Sequence, residues 1–188
     1  MKTRFLTTVC ALLTLAVLLG GCSAGAEKAP KKEVGIQLYS VRSLIGAFGN
    51  NQEDYKPVLK QLADMGYTSV EAASYKDGKI YGQTPEQFRK DVEEAGMKVL
   101  STHCTINLSD EELAAGDFSK ALAWWDECIA AHKAAGAEYI VVPSMRKVST
   151  LEELATYCRY FNEVGARCKA AGLKFGYHNP VSYTHLTL

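Results

Sequence analysis

The chain has 188 residues, which sets a prior of one domain of ordinary size. Its 21 Lys and Arg balance 21 Asp and Glu, and because residues 1–21 hold Lys2 and Arg4 but no acid, the remainder carries a net −2. That balance weighs against a sequence-independent nucleic-acid binder, which needs a basic surplus for phosphates. A hydrophobic fraction of 47% fits a chain with a core and not a disordered one, and six Cys without a CxxC pair rule out a disulfide scaffold and a zinc ribbon.

Lys2 and Arg4 open the chain, and Phe5 to Leu19 is an uncharged, mostly apolar run of 15 residues. A bilayer crossing needs roughly 20, so the run predicts a signal peptide over residues 1–21. It ends in Leu19-Gly20-Gly21-Cys22, which resembles a bacterial lipobox, with Cys22 as the lipidated first residue of the mature chain. The alternative is a plain secretory signal with an incidental Cys. Residues 22–33 are small, polar and proline-bearing and read as a flexible tether. The expectation is a chain lipid-anchored to a bacterial membrane, on its periplasmic or cell-surface side, without a spanning helix.

From residue 34 a unit repeats. LADMGYTSVEAAS, VEEAGMKVLSTHC, HKAAGAEYIVVPS and CKAAGLKFGYHN each place a helix end before a glycine and a β-rich run after it, at Gly66, Gly96, Gly136 and Gly172. Val34 to Ser40 supplies a first strand before the repeats. Val58, Leu62 and Met65 mark a first helix. Phe88, Val92 and Ala95 mark a second behind a Thr84-Pro85-Glu86-Gln87 capping box. Leu122, Trp125 and Ile129 mark a third. Leu151, Leu154, Tyr157 or Cys158, Phe161 and Ala171 mark a fourth, capped by Ser149 or Thr150. Five strands thus alternate with four helices between Val34 and Asn179.

Alternation permits a doubly wound sheet or a (β/α)8 barrel. No GxGxxG or P-loop follows any strand, and polar residues gather at the strands' C-terminal ends, which favours the barrel, whose active sites lie on that face. Counted from each glycine, Glu71, Ser101, His103 and Asn179 share one parity, and His178 is off-phase unless its strand bulges. Glu71 is an acid between Val70 and Ala72, serving either a site or a structural ion pair. His132 reads as a surface residue. Trp124 and Trp125 read as core before they read as a sugar-stacking face. Cys104, Cys128, Cys158 and Cys168 read as small core residues.

The runs GIQLYSVR, MGYTSVEAASY, VLSTHC and GLKFGYHN, in order on successive strands, resemble the sugar phosphate isomerase/epimerase family of xylose isomerase-like TIM barrels. The resemblance covers Val34 to Asn179. It implies proton transfer beside a carbonyl and a divalent metal (Mn, Mg, Zn or Co), with most ligands on later strands than those seen here. The catalytic candidates are Glu71, His103 and His178, and the substrate-binding candidates are Gln37, Ser40 and Asn179. None of these six is assigned as a metal ligand.

Family members continue past YHN with a His and an aromatic-and-Glu run, where this chain has Pro180 and then VSYTHLTL. The bases GTC TCT TAT ACA CAT CTG ACG CTG, those of a transposase-type sequencing adapter, encode residues 181–188. The expectation is therefore a barrel domain over residues 34–180 cut short, with about five strands and four helices of eight and an open C-terminal edge. Such a fragment is expected to be inactive and prone to aggregate through its edges. The expected parent is a metal-dependent isomerase, epimerase or related lyase acting on an unphosphorylated sugar, keto-sugar or glycoside. The alternative is a non-catalytic carbohydrate-binding lipoprotein on the same barrel. An endonuclease-like DNA repair enzyme is disfavoured by the export signal and the charge balance.

Overall fold

The computed structural model describes residues 32–47, 50–51 and 54–178. Cys22, nearly all of the tether, Asn179 and residues 180–188 lie outside the described residues. Five strands form one sheet: β1 (Gly35–Gln37), β2 (Ser69–Ala72), β3 (Lys98–His103), β4 (Tyr139–Val142) and β5 (Lys174–Tyr177). Every pairing is parallel and the strands lie side by side in chain order. The crossovers carry α1 (Lys56–Asp64), α2 (Pro85–Glu94), α3 (Ser119–Ala134) and α4 (Leu151–Ala170). Right-handed crossovers between neighbours in unbroken order put all four helices on one face. This is the winding of a (β/α)8 barrel, whereas a doubly wound sheet reverses its strand order. The structure is thus an α/β fold holding a partial barrel, and among the described residues β1 and β5 each pair on one side. No helix among the described residues is long and apolar enough to cross a membrane.

Local chemistry sets the helix ends. Thr84 accepts a hydrogen bond from the Gln87 amide at 3.2 Å, and Pro85 occupies the first turn of α2. The reciprocal half of the expected capping box does not form, because the Gln87 side chain instead donates to Asp91 at 2.8 Å. Of the two candidate caps for α4, Thr150 is the one used, accepting from the Glu153 amide at 3.1 Å. Gly66 follows the end of α1 at φ 98°, a left-handed conformation that a side chain resists, and the repeat glycines 96, 136 and 172 share it.

Several predicted faces rotate. In α1 the buried residues are Leu59 and Leu62, while Met65 is exposed. In α4 the buried stripe runs through Tyr157, Tyr160, Val164 and Cys168, and Leu151, Leu154 and Cys158 lie outside it in solvent. The bulkier tyrosines take the core side, so the apolar residues at the helix entrance are left without a partner layer. A short helix, Asp110–Ala115, follows β3 and was not anticipated, although Ser109-x-x-Glu112 is a complete capping box.

The layer between sheet and helices is aromatic. Trp125 on α3 is fully buried, meets Phe175 of β5 edge-on at 5.8 Å, and donates its indole N–H to the Tyr160 hydroxyl at 2.6 Å. Tyr160 in turn donates to the Ile106 carbonyl at 3.0 Å. One hydroxyl therefore ties α3, α4 and the loop after β3 together. Replacing it by Tyr160→Phe leaves a buried indole N–H and a carbonyl without this partner, which costs about 2 kcal/mol. The expected outcome is a lower urea midpoint at unchanged slope; an unaltered midpoint would contradict this assignment.

Candidate active site

β2 places Glu71 between the buried residues Val70 and Ala72. A carboxylate there needs donors, and the neighbouring strands supply them. Register pairs Gln37 with Glu71 and Glu71 with Ser101, so all three side chains leave the sheet on the same side. Glu71 Oε1 accepts from Gln37 Nε2 at 2.6 Å and from His103 Nε2 at 3.0 Å. Glu71 Oε2 accepts from Ser101 Oγ at 2.6 Å. Burial pushes the Glu71 carboxyl up, but the hydrogen bonds from His103, Ser101 and Gln37 outweigh it and bring the group down to about 2. Glu71 is therefore ionised at any working pH and is a weak base.

Its partner is better suited to move a proton. With Nε2–H donated to Glu71, a neutral His103 carries its lone pair on Nδ1. The Gln37 amide nitrogen lies about equally far from both ring nitrogens, 3.4 Å from Nδ1 and 3.3 Å from Nε2, so the Glu71 hydrogen bond is what sets the tautomer. His103 is 8% exposed, at the C-terminal end of β3. His178 lies one residue past β5, is exposed, and sets its ring 5.3 Å from that of His103 in an edge-to-face arrangement. Its amide continues the ladder by donating to the Val142 carbonyl at 2.9 Å.

The predicted phase of His178 is corrected here. Val70 pairs with Val99 and Glu71 with Ser101, so Leu100 is the extra residue of a bulge in β3. The strands start one residue out of step, with Ser69 opposite Lys98, and the bulge cancels that step and brings Ser101 and His103 to the side of Glu71. His103 pairs with Val141 and Val141 with Gly176, which puts Gly176, and His178 after it, on the side of His103. His178 is in phase because Tyr139, three residues past Gly136, pairs with Lys174, two past Gly172, so β5 is entered one residue earlier after its glycine than β4.

Gln37, Glu71, His103 and His178 are therefore brought together, and Ser101 joins them as a donor that the sequence had marked only by its phase. Ser40 does not join. β1 ends at Gln37, short of the expected Ser40, and the chain turns into a 3₁₀ helix, Leu38–Val41, where Ser40 is exposed and takes part in none of these hydrogen bonds. Asn179 lies outside the described residues. A second cleft, between the short helix Asp110–Ala115 and the start of α4, shares no residue with this cluster. Its Arg146 is engaged by Asp110 at 2.6 Å.

The Glu71 cluster does not fit a metal centre. Both carboxylate oxygens already accept from three donors, and among the described residues the group of three ligand-type side chains lies elsewhere, at Cys104, Cys128 and His132. That group also corrects His132, expected at the surface: it is fully buried, on the side of α3 that faces the sheet.

The depressed Glu71 carboxyl links stability to pH. Its folded value lies below its ordinary 4.5, so its contribution is complete above that pH and is lost as pH falls toward about 2. Ser101→Ala removes one of the three donors and is expected to raise the Glu71 carboxyl by about one unit. Carbon-detected NMR titration of the side chain checks this, and an unmoved midpoint would show that Ser101 is not a determining donor.

The comparisons follow from this geometry. The family described as xylose isomerase-like TIM barrel matches residues 59–186. A sugar phosphate isomerase/epimerase from Parabacteroides distasonis shares 30% identity over 79% of this chain and 55% of its own, at a TM-score of 0.66. A second one from that organism shares 25% over 84% of this chain and 55% of its own, at 0.65. An IolI protein with a bound zinc atom shares 12% over 78% of this chain and 51% of its own, at 0.54, a likeness of fold alone. No curated protein matches the sequence. The chain spans about 55% of the length of the first two structures. Sheet order, strand-end cluster and family match agree, and the chain belongs to the xylose isomerase-like TIM barrel family.

Proposed function

We propose that this chain is the N-terminal part of a sugar isomerase or epimerase that moves a proton beside the carbonyl of an unphosphorylated sugar, keto-sugar or glycoside. The observation that carries the proposal is the Glu71–His103 pair, held across two strands at the barrel's C-terminal face with the His178 ring 5.3 Å from His103. His103, oriented by Glu71 and with its lone pair on Nδ1, takes the proton from the carbon next to the carbonyl. His178, on the same side of the sheet, returns a proton to the neighbouring carbon or the opposite face. Gln37 and Ser101 hold Glu71, so the imidazole keeps one tautomer through the transfer. The divalent cation of this reading is assigned to ligands outside residues 32–178, since the cluster here offers no open carboxylate.

The reading includes a longer protein in which further strands close the sheet, and a 188-residue piece without turnover. It also includes lipidation at Cys22. Sequencing source DNA past the codon of Asn179 tests the first point, and finding VSYTHLTL encoded there would end it. For the lipidation, Cys22→Ser is expected to move the exported chain from the membrane fraction to the soluble one; continued membrane association would remove the anchor.

The activity itself is tested on the protein from the intact gene, supplied with Mn²⁺, by following solvent deuterium into an unphosphorylated ketose. His103→Gln is expected to slow exchange by about 100-fold or more, and Glu71→Gln by less, since it orients the base and does not act as one. Sugar binding without exchange would instead favour the carbohydrate-binding alternative.

A further inference from the structure

β3 ends with His103 on the inner side of the sheet, and the next residue turns the other way. Cys104 is 6% exposed and packs toward α3, where Cys128 and His132 are fully buried one helical turn apart. The Cys104 and Cys128 sulfurs lie 3.1 Å apart, and Cys128 Sγ lies 3.3 Å from His132 Nδ1. One ligand atom from each residue, for His132 one of its two ring nitrogens, falls within 4.8 Å of the other two, and the nitrogen beside Cys128 Sγ is Nδ1. His132 Nδ1 lies 2.7 Å from the Cys128 carbonyl, so Nδ1–H donates there and the lone pair sits on Nε2. That Nε2 is buried and has no hydrogen-bond partner among the described residues. A leucine would fill this position without burying a bare nitrogen, so packing alone does not account for a histidine.

We propose that Cys104, Cys128 and His132 form a binding site for a thiophilic divalent cation, zinc, between the sheet and α3. Two thiolates and one neutral imidazole match a doubly charged ion charge for charge, which a dry site requires; a monovalent ion would leave a net negative charge in the core. Burial drives the His132 imidazole down to about 4, so it is neutral and able to ligate at neutral pH. Tetrahedral zinc holds its sulfurs about 3.7 Å apart, so the two sulfurs part by about 0.6 Å on binding. Three protein ligands leave a fourth position for water or a small thiol. Uptake replaces two S–H protons by one zinc ion and releases both protons to solvent, with no change of oxidation state. The site is on the opposite side of β3 from Glu71 and His103 and is independent of the proposed sugar chemistry.

The test uses the full 188-residue chain, reduced, freed of metal and titrated first with Zn²⁺ and then with Co²⁺. The expected result is one zinc per chain after desalting, two protons released per zinc, and two thiols withdrawn from reaction with Ellman's reagent. Co²⁺ is expected to show near-ultraviolet thiolate-to-cobalt charge transfer. Cys104→Ser and Cys128→Ser are each expected to abolish the charge transfer or weaken binding at least about 100-fold, and His132→Gln at least about tenfold. His103→Gln and Cys158→Ser are expected to leave it unchanged. Cobalt bound without charge transfer, or zinc uptake indifferent to the Cys104 and Cys128 replacements, overturns the proposal. So does recovery of a Cys104–Cys128 disulfide in place of metal uptake. The wild-type cobalt spectrum needs no variant, so a replacement that fails to fold does not shield the proposal.

Discussion

A carboxylate inside a parallel sheet is tolerated only where several donors reach it, and Glu71 is the point on which the rest of this structure turns. Its three donors come from the strands on either side, Gln37 from β1 and both Ser101 and His103 from β3. Those donors meet the carboxylate in one register alone, because a slip of one residue sends every side chain to the other face. The bulge at Leu100 is part of the same solution. Without it, Leu100 and Thr102 would stand where Ser101 and His103 now stand, and the acid would face a strand with neither imidazole nor serine hydroxyl in reach. Sheet register and site chemistry are therefore one constraint.

The two sides of β3 show how one strand end serves two environments. His103 points to the side where Glu71 and His178 gather, and its tautomer is set by a charged partner. Cys104, the next residue, points into the helix layer, where the Cys128 and His132 side chains are shut off from water. Electrostatics follow the split. On the inner side hydrogen bonds prevail over desolvation and hold Glu71 ionised; on the outer side desolvation prevails and holds the Cys128 thiol protonated and His132 neutral. A fall in pH that protonates Glu71, near 2, first charges His132, near 4, and leaves the thiols protonated throughout.

Helix layer and sheet are joined by aromatic side chains more than by aliphatic ones. Trp125, Phe175, Phe161, Tyr157 and Tyr160 form a continuous run of ring contacts from α3 through β5 to α4. Their polar ends are used as well, since the Tyr160 hydroxyl accepts from Trp125 and donates to a loop carbonyl. A second network binds α1 to α2: buried Asp91 accepts from Tyr55, Lys56 and Gln87 at 2.6 to 2.8 Å. Two of the three neighbouring helix pairs, α1–α2 and α3–α4, are thus joined by a polar anchor within an apolar layer. The strand ends are held at fixed spacing, as a reaction face assembled from different strands requires.

The sequence by itself determined the winding: four helix-glycine-strand units in order allow few arrangements, and the strand-end positions of Glu71, His103 and Gln37 follow from local spacing. It determined capping at Thr84 and Thr150, because those contacts span three residues. Tertiary structure decided what depends on the neighbouring strand or layer. The phase of His178 depended on the register of β5 against β4, which no pattern within its own strand records. Ser40 lies outside the cluster because the chain turns into the 3₁₀ helix Leu38–Val41 directly after Gln37. His132 looked like a surface residue beside Lys133, and only the packing of α3 on the sheet showed that its ring turns inward toward two cysteines, one of them 28 residues earlier in the chain. Local spacing fixes which way a side chain leaves its own element; what it meets there is set by the element packed against it.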